Sequence, residues 1–146
     1  MKRIIFITGA TSGIGKACAE KFAANGDSLI INGRRKERLE ELKKQLEEKY
    51  KVEILSAPFD VQNKDEVFRS IHHFSEKWKS TDILINSAGL ALGRDTFDEA
   101  DITDWETMLN TNVMGLLYVS KAILPSMIKR NGGHIINLGS IAGDEV

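Results

Sequence analysis

Apolar positions along this chain follow two spacings. Runs such as Ile4-Ile5-Phe6-Ile7 are short and continuous, while the stretches between them carry apolar residues every three or four positions. Short continuous runs predict strands buried on both faces, and the wider spacing predicts helices. Five strands are expected, at about residues 3–8, 28–32, 52–57, 82–86 and 134–138. A first helix is expected over 12–24, with Ile14, Cys18 and Phe22 on its buried face and Asn25-Gly26 as its stop. A second covers 36–49, where Leu39, Leu42 and Leu46 form a narrow apolar stripe among charged faces. Asn63 is expected to cap a third helix in which Val67, Ile71, Phe74 and Trp78 share one face. A long helix over 103–129 follows, with Pro125 kinking its last turn. Strands alternating with helices predict an α/β domain with a doubly wound parallel sheet, in which ligands sit at the carboxyl ends of the strands.

The first strand end carries Thr8-Gly9-Ala10-Thr11-Ser12-Gly13-Ile14-Gly15. Glycines let the backbone turn tightly and approach a pyrophosphate, and the first amides of the next helix point at the anion. An ATPase-type loop needs Gly-x-x-x-x-Gly-Lys-Ser/Thr, with a hydroxyl for magnesium. Here Lys16 is followed by Ala17, so that reading fails. An ordinary strand-to-helix turn remains the plain alternative.

The later strand ends narrow the ligand. Arg34 and Arg35 stand after the second strand, where a carboxylate would mark an unphosphorylated ribose; arginines suit a 2′-phosphate, which favours NADP over NAD. Asp60 and Val61 follow the third strand, offering a carboxylate for an adenine amine and a side chain against its ring. Asn86, Ala88 and Gly89 follow the fourth and let backbone lie against a cofactor. Asn112 lies mid-helix, where asparagine needs a hydrogen-bonding reason. Ser140 follows the fifth strand and can donate to a substrate oxygen. Taken singly, each has a bland alternative: surface arginines opening a helix, a capping loop aspartate, a turn glycine, a polar helix residue, a turn serine.

Together these stretches resemble the short-chain dehydrogenase/reductase family across the whole chain, in order. Thr8 to Gly15 is similar to its Thr-Gly-x-x-x-Gly-x-Gly turn, and Asn86 to Gly89 to its Asn-Asn-Ala-Gly motif, with Ser87 in place of the second Asn. Asn112 and Ser140 match its helix asparagine and catalytic serine. Gly89 to Gly93 and Asp104 to Met108 are similar to the branch of NADP-dependent 3-hydroxy acid and serine dehydrogenases. The resemblance implies a Rossmann-like fold and an oxidoreductase interconverting an alcohol and a carbonyl. It implies NADP contacts from Gly9, Thr11, Ser12, Gly13, Ile14, Gly15, Arg34, Arg35, Asp60, Val61, Asn86, Ala88 and Gly89. It also implies catalytic roles for Ser140 and Asn112, a small-molecule partner, and homo-oligomers at full length.

One departure matters. The family's Tyr-x-x-x-Lys pair is absent: Ile54 stands four residues after Tyr50, and Ala122 four after Tyr118. Residues 1–146 are therefore expected to be a single dinucleotide-binding domain truncated before that segment, with the fifth strand at an open edge. A non-catalytic NADP-binding fragment, and a purely structural fragment pairing through its long helix, are the competing functional classes.

Composition removes other classes. Net charge is −1 with both signs interspersed, which gives no support for nucleic-acid or membrane partners. A single cysteine excludes an internal disulfide, and adjacent His72 and His73 point apart on a helix, so no metal site is expected. No secretory signal or membrane span is recognisable, which leads to a cytoplasmic expectation.

Overall fold

The computed structural model describes residues 2–141. The chain forms β1 (Ile4–Ile7), α1 (Gly13–Ala24), β2 (Ser28–Gly33), α2 (Lys36–Tyr50), β3 (Ile54–Pro58), α3 (Lys64–His72), α4 (Glu76–Lys79), β4 (Ile83–Asn86), α5 (Ile102–Leu109), a π-helical turn over Asn110–Gly115, α6 (Leu116–Lys129) and β5 (His134–Asn137). All strand pairs are parallel, in the order β3-β2-β1-β4-β5. The chain winds outward from β1 to β3, then returns to β4 on the other side of β1. Strand order therefore reverses between β1 and β4, and a Rossmann-like sheet opens its ligand crevice at that point.

Alternation along the buried strands divides the core. Ile5, Ile7, Leu29 and Ile31 face α1 and α2, where they meet the stripe Leu39, Leu42 and Leu46. Ile4, Phe6, Ile30 and Leu84 face α3 and α6, where they meet Val67, Ile71, Val119, Ile123 and Met127. Strands buried on both faces have no polar side, which is why their sequence shows unbroken aliphatic runs.

Three helices depart from expectation. The buried face of α1 is Gly15, Ala19 and Ala23, one position on from the expected set. Small residues let this helix lie close to the sheet, so Cys18 and Phe22 flank the contact and Ile14 is 63% exposed. The third helix ends at His72, and α4 restarts beyond Ser75, whose extended backbone precedes it. Phe74 and Trp78 still pack on the core, Phe74 with its ring edge-on to Phe6 at 6.0 Å. The long helix is interrupted by the π turn, and α6 continues through Pro125 to Lys129. Asn63 caps α3 as expected, accepting from the Glu66 amide at 3.1 Å.

The amino-terminal edge of the sheet is tied by charge. The Arg3 guanidinium donates twice to Asp27, at 3.1 and 2.8 Å. Asp82 accepts from the Ile4 amide at 2.8 Å and from Arg130 at 3.2 Å. β5 is an edge strand, as expected, and Leu109, Val113, Leu117, Leu124 and Ile128 are exposed along α5, the π turn and α6. Among the described residues no helix is long and apolar enough to cross a membrane.

Burial pushes the Asp27 carboxyl up, but hydrogen bonds from Arg3 and Asn25 and the Arg3 charge outweigh it and hold the group below its ordinary value. A depressed folded value means the contribution is present above the unfolded value, about 3.9, and is lost as pH falls through the folded one. Asp27→Asn is expected to lower stability at pH 7 and to flatten the acid loss of stability below about pH 4. Urea midpoints measured from pH 7 to pH 2 check this.

Candidate active site

The carboxyl ends of all five strands open onto one cleft of about 720 Å³. At β1, Gly9 and Gly13 take positive φ values of 65° and 52°. A Cβ at Gly9 would lie 2.8 Å from the Ala88 Cα, and one at Gly15 would lie 2.3 Å from the Gly9 carbonyl oxygen. The glycines thus serve two needs. Gly13 supplies a left-handed turn beside open space, whereas Gly9 and Gly15 allow backbone to meet backbone. Ser12, the residue before α1, makes no side-chain cap, and the helix has no acid in its first turn. The amides of that turn are therefore left for an anion.

At β2, Asn32 is 1% exposed and donates to the carbonyls of Ala57, at 2.9 Å, and Phe59, at 3.0 Å. This locks the end of β2 to the end of β3, and with it Arg34 and Arg35 to Asp60. A Cβ on Gly33 would sit 3.0 Å from the Thr11 methyl, so the arginines stand directly beside the glycine turn. Both are exposed, and no ion pair among the described residues engages either. Asp60 accepts from the Gln62 amide at 3.0 Å through one carboxylate oxygen. Val61 is buried against the π turn, where a Cβ on Gly115 would approach it to 2.8 Å.

At β4, the Thr8 hydroxyl oxygen accepts from the amides of Ser87, at 3.1 Å, and Ala88, at 3.0 Å. The segment after β4 is therefore pinned to the glycine turn. Asn112 sits within the π turn and holds Leu90 by both backbone groups: its Oδ1 accepts from the Leu90 amide at 2.9 Å, and its Nδ2 donates to the Leu90 carbonyl at 2.8 Å. An interruption of this kind in an α-helix commonly marks a functional position. After β5, the Leu138 amide donates to the Asn86 carbonyl at 3.1 Å, and Ser140 follows on the cleft wall.

Of the residues singled out in the sequence, Gly15 alone is absent from the cleft wall; it lies beneath, packed on Gly9. The others line one crevice: Gly9 and Thr11 to Ile14 of the turn, Arg34 and Arg35, Asp60 and Val61, Asn86 to Gly89, Asn112 and Ser140. Thr8, quoted only as the first residue of the glycine motif, and Asn32 were given no role of their own. Both are polar residues closing an aliphatic strand, and that break in the pattern was the available signal. Among the described residues no cluster of ligating side chains could hold a metal.

A doubly wound parallel sheet with a glycine turn and an uncapped helix at its crevice is the architecture of Rossmann-like nucleotide-binding proteins. The chain belongs to the short chain dehydrogenase family, whose model matches residues 3–146. It is 45% identical over 140 residues to an NADP-dependent 3-hydroxy acid dehydrogenase, YdfG, of Salmonella typhi, covering 96% of this chain and 55% of that protein. It is also 45% identical over 144 residues to a sulfoacetaldehyde reductase of Chromohalobacter salexigens, covering 98% and 56%. Among solved structures, serine dehydrogenase from Escherichia coli superposes with a TM-score of 0.92 at 43% identity, covering 98% of this chain and 64% of that one. A closed serine dehydrogenase complexed with NADP+ superposes with a TM-score of 0.91, also at 43% identity, covering 97% and 55%. The chain spans about half the length of the curated relatives it matches.

Gly15→Ala forces a Cβ into a backbone oxygen and is expected to cost about 3 kcal/mol. Gly132→Ala meets no atom within 4 Å and serves as the control, with a change of about 0.5 kcal/mol or less. Chemical denaturation of the two variants checks the difference.

Proposed function

We propose that the cleft binds NADP(H) and that the protein is an oxidoreductase interconverting an alcohol and a carbonyl, with a small 3-hydroxy acid or serine-like substrate. One observation carries the reading: two exposed arginines after β2, engaged by no ion pair among the described residues, an uncapped helix N-terminus after β1 and Ser140 after β5 follow one another along a single crevice. That order of charge and hydroxyl suits a 2′-phosphorylated dinucleotide laid across the strand ends. The relatives' own names support both the cofactor and the substrate class.

In this reading Arg34 and Arg35 take the 2′-phosphate by charge-assisted hydrogen bonds. Asp60 keeps a second carboxylate oxygen for the adenine amine, with Val61 against the ring. The turn from Gly9 to Ile14 and the first amides of α1 hold the pyrophosphate, and Gly15 keeps them in place. Asn86, Ala88 and Gly89 support the far end of the cofactor. When bound, the nicotinamide supplies hydride transfer. Ser140 donates to the substrate oxygen and stabilises the charge that develops there. Asn112, with its side chain committed to Leu90, contributes by fixing the segment after β4 to the π turn.

A second reading applies to these 146 residues taken alone. No tyrosine among them is followed by a lysine four positions on, so the chain binds NADP(H) without turnover. In the oligomer that the family resemblance implies, a neighbouring copy covers the apolar stripe of α5 and α6.

NADPH is expected to bind more tightly than NADH. The double variant Arg34→Glu and Arg35→Glu is expected to weaken NADPH by about a hundredfold or more and to leave NADH nearly unchanged. Fluorescence titration decides it: equal affinity for both cofactors overturns the arginine reading, and turnover of a 3-hydroxy acid by the 146-residue chain overturns the non-catalytic one.

A further inference from the structure

We propose that Asn137, together with Ser120, is a positioning residue of the cleft: the two hold the Asn86 amide and thereby fix the cofactor floor relative to the segment that carries Ser140. This rests on the NADP reading above.

Asn86 ends β4, lines the cleft and is 4% exposed. Its Nδ2 donates to the Asn137 Oδ1 at 2.8 Å and to the Ser120 Oγ at 3.0 Å, so both amide protons are used. Asn86 and Asn137 are register partners across β4 and β5. Asn137 lies three residues before Ser140, and Ser120 lies on α6, eight residues after Asn112. One amide group therefore joins the three elements that bear the cofactor floor, the serine and the π turn. Neither Asn137 nor Ser120 lines the cleft, so each acts through Asn86.

The pattern of the strand pair argues against a role in stability alone. The preceding partners are Ile83 with His134, Leu84 with Ile135 and Ile85 with Ile136, and the pair beside the cleft is the one in which both partners are polar. The Asn86 Oδ1 is buried and accepts no hydrogen bond among the described residues. An apolar residue at the buried Asn86 position would avoid that cost, while Asn137, exposed on the edge strand, supplies the acceptor. What the amides add is orientation: a hydrogen bond sets the angle between β4, β5 and α6, which aliphatic contact does not. Polar choices that break a local pattern concentrate at functional sites.

Two probes separate positioning from general stability. NADPH spans the whole cleft, whereas adenosine 2′,5′-bisphosphate reaches only the arginine and glycine-turn end. Asn137→Leu and Ser120→Ala are each expected to weaken NADPH by about five- to tenfold and to leave the bisphosphate within about twofold. Asn137→Asp, which keeps an acceptor, is expected to restore NADPH binding. The combined Asn137→Leu and Ser120→Ala variant is expected to lose less than the product of the single losses, because both act on one amide. Unchanged NADPH affinity in both single variants overturns the proposal, as does a parallel loss of both probes. If Asn137→Leu does not fold, Ser120→Ala, which removes one oxygen, carries the test. Failure of the unmodified chain to bind either probe overturns the NADP reading, and the positioning role with it.

Discussion

The contact on which the rest depends is backbone against backbone. Helix α1 starts so close to its own turn that the Gly15 position has no room for a Cβ beside the Gly9 carbonyl, and Gly9 in turn touches Ala88. The glycine turn, the start of α1 and the segment after β4 therefore meet at close quarters, with the Ser87 hydroxyl the side chain nearest the junction. Thr8 secures the same junction by accepting from two consecutive amides of the β4 segment. Where the glycine turn meets α1 and the β4 segment, the cleft presents backbone groups to a ligand at fixed positions with no rotamer to order. A floor of flexible side chains would lose entropy on binding that this one has already surrendered in folding.

Polar ties are distributed by kind across the sheet. At the amino-terminal edge they are ionic, through Arg3 with Asp27 and Asp82 with Arg130. At the carboxyl edge they are neutral, through Thr8, Asn32, Asn86 and Asn137. Neutral amides and hydroxyls fix geometry without adding charge, so the field in the cleft is left to the arginines, to Asp60 and to the start of α1. A salt bridge in their place would compete for the anion that the cleft is shaped to hold.

Much of this was legible in the sequence because strands buried on both faces write themselves as unbroken aliphatic runs, and Ile4 to Ile7 could be little else. The cleft was legible for a related reason: parallel topology gathers every strand's carboxyl end, so residues after each run had to converge. What escaped detection depended on close approach. Apolar periodicity placed Ile14, Cys18 and Phe22 inside, yet the buried face of α1 is the small set Gly15, Ala19 and Ala23, because how near a helix lies to a sheet outranks how oily its residues are. The π turn was equally silent, since the tie it carries runs from the Asn112 side chain to a backbone segment 22 residues away. Thr8 and Asn32 drew no role because each reads simply as the polar residue that closes an aliphatic run.

The tie between Asn112 and Leu90 has a consequence for how such a protein diversifies. Both hydrogen bonds go to the amide and carbonyl of position 90, and neither involves its side chain. Any residue except proline can occupy that position without loosening the anchor. The loop that leaves the cleft there is therefore held by a device blind to its own sequence. Its side chains are free to drift toward new substrates while the frame that presents them stays where it is.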